Sequence, residues 1–196
     1  PDVAPAPAPQ ATASGSSAPA APPGLAVLAS GGAPDGAGVS QVPVRLPPPA
    51  RLDFEVQGQA KRLQYSASAE LVWQHDGQQY QARQEVRVLF LGSRAQTSVG
   101  EITPLGLQPR RFGDRSRSEK AAHFDFAQGQ VTFSANSPAA RIAPGAQDRL
   151  SVFLQLAGLL AAAPQRYPAG AEITLPTAST KAVEPWTFQM HGAEPL

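Results

Sequence analysis

The chain has 196 residues, 42% hydrophobic and 16% charged, enough for one ordinary domain with a core of its own. A formal net charge of +1 and an isoelectric point near 8.7 are too mild to direct it to nucleic acid or an anionic membrane surface. The absence of cysteine excludes disulfides, thiolate metal sites and cysteine nucleophiles.

Residues 1 to 50 hold 12 of the 21 prolines among Ala, Gly and Ser, with Arg45 the one basic residue. Such a segment has too little apolar surface to offset chain entropy, which predicts a disordered linker ahead of a β-rich domain over 51 to 196. A Pro/Ala tract opening on Pro1, with no Met, is typical of a chain from which a signal peptide or membrane anchor has been removed, so the expected location is the periplasm or cell envelope. No apolar run reaches the ~18 residues needed to span a bilayer, so an anchor would lie upstream.

From residue 51 the period becomes two. Leu52, Phe54 and Val56 alternate with Asp53, Glu55 and Gln57, and Tyr65, Ala67, Ala69, Leu71 and Trp73 continue the pattern. Asp76-Gly77 between alternating runs predicts a hairpin, and a two-residue turn there places Trp73 opposite Tyr80, Leu71 opposite Ala82 and Glu70 opposite Arg83. Thr97 to Thr103 reads as a short strand, after which Pro104, Gly106 and Pro109 are expected to interrupt pairing. In HFDFAQGQVTF, a turn at Gln128-Gly129 would face Phe124 with Phe133 and Phe126 with Val131.

GAQDRLSVFLQLAGLLAAAP, residues 145 to 164, predicts the one helix, of about 14 residues. Asp148 is placed to cap it and Pro164 to end it. Leu150, Phe153, Leu154, Ala157 and Ala161 form one apolar face, and Val152, Leu156, Leu159 and Ala163 a second. Asp148, Ser151 and Gln155 leave only a narrow polar seam. The helix therefore either plugs a curved sheet or offers one face to something apolar. Ile173 and Leu175, then Trp186, Phe188 and Met190, close the chain at spacing two. The predicted fold is mainly β: an antiparallel meander forming a strongly curved sheet or half-barrel, with the helix in its concave face.

The motifs LVWQHDGQQYQA, GLQPRRFGDRSRSEKAAHFDF, GQVTFS and GAQDRLSVFLQLAGLL, taken in order over about 51 to 190, resemble DUF3108, a family of exported bacterial proteins of unknown function. The resemblance implies a secreted or periplasmic β-rich domain behind an anchor and a Pro-rich spacer. It also implies further strands beyond Leu196, so that this chain would be a truncated form with an open sheet edge or a hole in its core.

Chemistry is sparse. His75, His123 and His191 form no metal motif, and no nucleophile elbow, phosphate loop or dinucleotide fingerprint occurs, so no catalytic residue, metal or cofactor is assigned. His123 and Asp125 share a strand face and read as a solvated pair; a hydrolase built on them is the third reading. Arg110, Arg111, Arg115 and Arg117, with Lys120, are candidate anion ligands or, more simply, charges that guard a strand edge. A half-barrel with a helix in its mouth is similar to periplasmic carriers of lipoprotein acyl chains. The leading expectation is therefore a non-enzymatic envelope module holding a lipid-like ligand among Trp73, Tyr80, Phe124, Phe133, Phe153 and Leu156. The alternative is a protein-interaction or structural module without a ligand.

Overall fold

The computed structural model describes residues 26–28, 43–60, 63–89 and 91–192. Most of the linker expected over 1 to 50 lies outside these residues, as does anything beyond 192, but it is corrected at 26 to 28, which pair as a strand with 172 to 174, and at 43 to 49. That stretch is strapped onto the fold: the Arg45 N–H donates to Gly158 O at 3.0 Å, and Trp73 Nε1 donates to Pro47 O at 2.9 Å. Val44 and Leu46 each pack against a hydrophobic cluster.

Eight strands form one antiparallel meander in chain order: β2 (Ala50–Ala60), β3 (Leu63–His75), β4 (Gln79–Val88), β5 (Gly92–Thr103), β6 (Gly106–Arg115), β7 (Glu119–Asp125), β8 (Gln130–Phe133) and β9 (Ala140–Arg141). The sheet stays open, and the single helix packs against its inner face, as the sequence predicts. Alternation explains the faces: Ala67 and Trp73 of β3 are buried, while Ser66, Ser68 and Gln74 are exposed.

Both predicted hairpin registers are corrected by two residues. Trp73 pairs with Ala82, Leu71 with Gln84, Glu70 with Glu85 and His75 with Tyr80. The turn is centred on Gly77-Gln78 instead of Asp76-Gly77. Gly77, at φ 92°, supplies the positive φ that a II′ turn needs at its first central residue. Asp76 instead sits before the turn, where its Oδ1 accepts the N–H groups of Gln78 and Gln79 at 2.8 and 2.7 Å. Those two donors hold its carboxyl below the usual range. In the second hairpin Ala122 faces Phe133 and Phe124 faces Val131, because four residues, 126 to 129, make the loop.

A two-residue slip keeps every side chain on its predicted face. Trp73 and Tyr80 therefore still meet diagonally, with ring centroids 5.6 Å apart. On the outer face, Glu70 and Glu85 are directly opposed like charges. Arg51 bridges Glu70 at 2.5 Å, while Arg83 and Arg87 clasp Glu85 at 2.7 and 2.9 Å. Hydrogen bonding from Arg83 chiefly holds the Glu85 carboxyl below its ordinary value.

Pro104, Gly106 and Pro109 do not break pairing, a second correction. Thr103 pairs with Gly106 across a tight turn, and Arg110 is the extra residue of a β-bulge between Val99 and Gly100. Pro109 lies beside that bulge, where a missing N–H is tolerated. A Cβ on Gly100 would come within 2.8 Å of the Tyr80 ring, so glycine alone fits.

A second sheet, which the sequence pattern does not anticipate, comprises β1 (Ala26–Leu28), β10 (Gln147–Asp148), β11 (Glu172–Ala178) and β12 (Val183–Gln189). β10 and β11 are parallel, joined across the helix α1 (Ser151–Ala162) in a β-α-β arrangement. The helix is thus shorter than predicted, because 147 and 148 extend into a strand. It separates two clusters. Leu150 and Leu154 join Trp73, Tyr80, Phe112 and Phe124 on the large sheet, while Val152 and Leu159 join Tyr167, Ile173 and Leu175 on the small one. The second apolar side of α1 is therefore met by the protein's own second sheet.

Candidate functional site

Paired residues in an antiparallel ladder share a face, so the registers sort the inner face of the large sheet into rows. The row through Trp73, Ala82, Ser98, Phe112 and Ala122 is buried under the helix side. The next row runs Leu52, Leu71, Gln84, Gln96, Asp114, Lys120. Beyond it lies Phe54, Ala69, Val86, Arg94. The first of these rows is apolar on β2 and β3, amide on β4 and β5 and charged on β6 and β7; the second is apolar on β2–β4 and charged at Arg94 on β5. Their apolar end is open: Leu52 and Phe54 are each 47% exposed. At the β4–β5 turn beside it, Leu89 and Leu91 are exposed as well.

The six residues predicted to line one pocket between sheet and helix do not gather there. Trp73, Tyr80 and Phe124 belong to the packed core of the large sheet, with Phe133 against it. Leu156 packs on the small-sheet cluster. Phe153 points outward, 54% exposed, with Trp186 and Phe188 at centroid distances of 6.3 and 6.2 Å. Phe153, Ala157 and Ala161 form the exposed stripe of α1 at i, i+4 spacing.

The polar seam of α1 is its most buried line. Asp148 Oδ1 accepts the N–H groups of Leu150 and Ser151 at 2.8 Å each, and Ser151 Oγ accepts the Asp148 N–H at 2.9 Å. This reciprocal pair closes the turn that leads from Asp148 into α1, whose N-cap position is Leu150 and carries no side-chain cap bond. Asp148 Oδ2 accepts from Ser98 Oγ at 2.5 Å, and Ser98 Oγ lies 3.0 Å from the Tyr80 hydroxyl. Burial drives the Asp148 carboxyl up to about 6 against these donors, and burial beside Asp148 pushes the Tyr80 phenol well above 10. Gln155 Oε1 accepts the Leu107 N–H at 2.8 Å and its Nε2 donates to Leu105 O at 2.9 Å, locking the β5–β6 turn to the helix. These groups are enclosed and act on structure.

The predicted arginine cluster is dispersed. Arg110 and Arg111 line a cleft of about 620 Å³ with His75 and Asp76, but Arg110 pairs with Glu101 at 3.3 Å and Arg111 with Glu119. Arg115 lies on the outer face opposite Glu119, and Arg117 sits in the exposed β6–β7 turn. A different cationic group is assembled by the fold. Arg94, Lys120, Arg149 and Lys181, with Asp114, Glu184 and several hydroxyls, line a cleft of about 660 Å³ between the large sheet and the β11–β12 hairpin. Arg94 binds Asp114 through both guanidinium donors, at 2.8 Å for Nε, and holds that carboxyl below its ordinary value. Arg149 lies 5.5 Å over the Trp186 ring.

His123 is exposed, and Asp125 Oδ1 accepts the Gln128 N–H at 2.9 Å, so Asp125 shapes a turn. Among the described residues no group of three or more His, Asp or Glu is placed to hold a metal ion. Also among them, no helix is long and apolar enough to cross a membrane. Sequence reasoning missed Arg94, Arg149 and Lys181 as partners, because they lie on β5, in the helix cap and in a hairpin turn far apart in the chain. No family model, curated protein or solved structure matches the chain.

Proposed function

We propose that this protein is a non-enzymatic binding module of the bacterial envelope whose open sheet face holds an apolar chain. The observation carrying this reading is the uncovered apolar end of the inner face, where Leu52 and Phe54 remain 47% exposed on a surface continuous with the core. A contiguous apolar patch rimmed by polar groups is a common mark of a ligand or partner site. The ligand position differs from the expected one: the space between sheet and helix is filled by Trp73, Phe112, Leu150 and Leu154. The envelope location rests on the Pro/Ala-rich leader and on the resemblance to DUF3108. Titrating a solvatochromic apolar dye into wild type and Leu52→Ser/Phe54→Ser tests it. Saturable binding should fall at least tenfold in the variant while the melting temperature stays within a few degrees. Equal binding by both proteins would remove this face from consideration.

The second reading, a protein-interaction module, draws on the Phe153, Trp186 and Phe188 patch with Arg149 above it. Aromatic residues and Arg are the usual anchors of interfaces. Site-specific photocrosslinking from position 153 in cells of the source organism should capture one discrete partner, and a smear or nothing argues against it.

A further inference from the structure

The cleft between the large sheet and the β11–β12 hairpin carries four cations, Arg94, Lys120, Arg149 and Lys181, against two carboxylates, Asp114 and Glu184. Arg94 and Asp114 satisfy each other, and Gln96 Nε2 adds a bond to Asp114 at 3.1 Å. Among the described residues, no carboxylate lies within 4.0 Å of Lys120, Arg149 or Lys181. Ser116, Ser118 and Thr180 add hydroxyls to the same wall. Lys120 and Lys181, with Arg149 held over the Trp186 ring, line a concave site with these hydroxyls and the Glu184 carboxylate, and their excess positive charge suits a compact anion.

We propose that this cleft binds the anionic head, a phosphate or carboxylate group, of an amphiphile whose chain lies along the Leu52 and Phe54 end of the inner face. The chain half of this inference rests on the binding reading above. The link is the sheet register: Phe54, Ala69, Val86 and Arg94 are successive neighbours across four strands. Three strand spacings, about 14 Å, therefore separate the apolar end from the cationic wall. The adjacent row is longer: from Leu52 through Leu71, Gln84, Gln96 and Asp114 to Lys120 it crosses five spacings, about 24 Å, so Arg94 is the cleft residue nearest the apolar end along the sheet. A neutral head would leave the surplus of two positive charges uncompensated. A nucleic-acid strand would need a longer basic track than one cleft provides.

The test titrates three probes into the full chain by calorimetry, below any micelle concentration: inorganic phosphate, dodecyl phosphate and dodecyl maltoside. Lys120→Gln/Lys181→Gln changes two exposed side chains, and its thermal melt verifies folding. Wild type should bind dodecyl phosphate at least tenfold more tightly than the maltoside, with a preference that shrinks as salt rises. The lysine variant should lose that preference and keep its maltoside affinity. Leu52→Ser/Phe54→Ser should weaken both detergents and leave phosphate binding unchanged. Equal affinity for the two detergents, or a preference that survives in the lysine variant, overturns the cleft while leaving the apolar face standing. Lysine-dependent binding of inorganic phosphate with no detergent binding supports the cleft as a free-anion site and removes the amphiphile.

Discussion

Asp148 offers the sharpest quantitative test of the structure. Its carboxyl is fully enclosed, and burial raises its pKa from 3.8 to about 6 despite donors from Ser98, Leu150 and Ser151. Between those two values the native protein retains a proton that the unfolded chain has released, so stability falls as pH rises. The contribution is fully present below about pH 4 and lost once pH passes 6. At ~1.4 kcal/mol per pKa unit, a rise of about two units is worth roughly 3 kcal/mol. Asp148→Asn keeps an oxygen for the two backbone N–H groups and turns an NH2 toward Ser98, whose oxygen can accept it. The variant should already exceed wild type by about 1 kcal/mol at pH 4.5 and by about 3 kcal/mol at pH 7.5, and lose the downward slope of roughly 2 kcal/mol between. Glu85 and Asp114, whose carboxyls are held low, contribute stability that is lost only as pH falls below about 4, outside this window. Equilibrium urea denaturation at four pH values from 4.5 to 7.5 measures the slope. An identical slope in both proteins, or an Asn variant weaker at pH 7.5, would refute the burial argument.

The same packing sets three further outcomes. Gly106→Ala should cost about 3 kcal/mol, because φ of +94° disfavours a side chain and a Cβ would displace the Gln155 amide that ties down Leu105 and Leu107. Gly77→Ala, at φ +92° in open space, should cost only ~1 kcal/mol by urea denaturation; equal costs would discredit the Gln155 clamp. Phe112→Ala, at a wholly buried position in the large-sheet cluster, should lose about 3–5 kcal/mol in the same assay. Gly158→Ala brings a Cβ to 2.7 Å from Val44 Cγ1, so the 43 to 49 strap should lift. Faster proteolysis before residue 50 and a red-shifted Trp73 emission would report it, and an unchanged digest would count against the strap.

Much of the architecture was legible because period-two alternation is local. Leu52, Phe54, Ala69, Leu71, Trp73 and Tyr80 all fall on the predicted face, and the mainly antiparallel meander with one helix follows from their spacing. Register was not legible to within two residues. Asp76-Gly77 and Gly77-Gln78 are both plausible turn centres from composition. The choice depended on Gly77 taking the positive φ while the Asp76 carboxylate gathered two N–H groups ahead of it.

The helix shows the same division. Its apolarity on two sides and its end before Pro164 could be read from residues 145 to 164, whereas Asp148, read as the cap, lies in a strand two residues ahead of the N-cap Leu150. That the polar seam would be its deepest line could not, because the partners of that seam, Ser98 on β5, Leu105 in the turn after it and Leu107 on β6, lie some fifty residues away. The same holds for the cationic cleft. The sequence draws the eye to Arg110, Arg111, Arg115 and Arg117 because they are neighbours in the chain, yet strand alternation and the exposed β6–β7 turn disperse them, and Glu101 and Glu119 pair with Arg110 and Arg111. Arg94, Lys120, Arg149 and Lys181 have no common segment. Periodicity acts between residues close in sequence and so determined faces and element types. Charge clustering and the filling of space act between residues close only in the fold, and tertiary structure alone decided them.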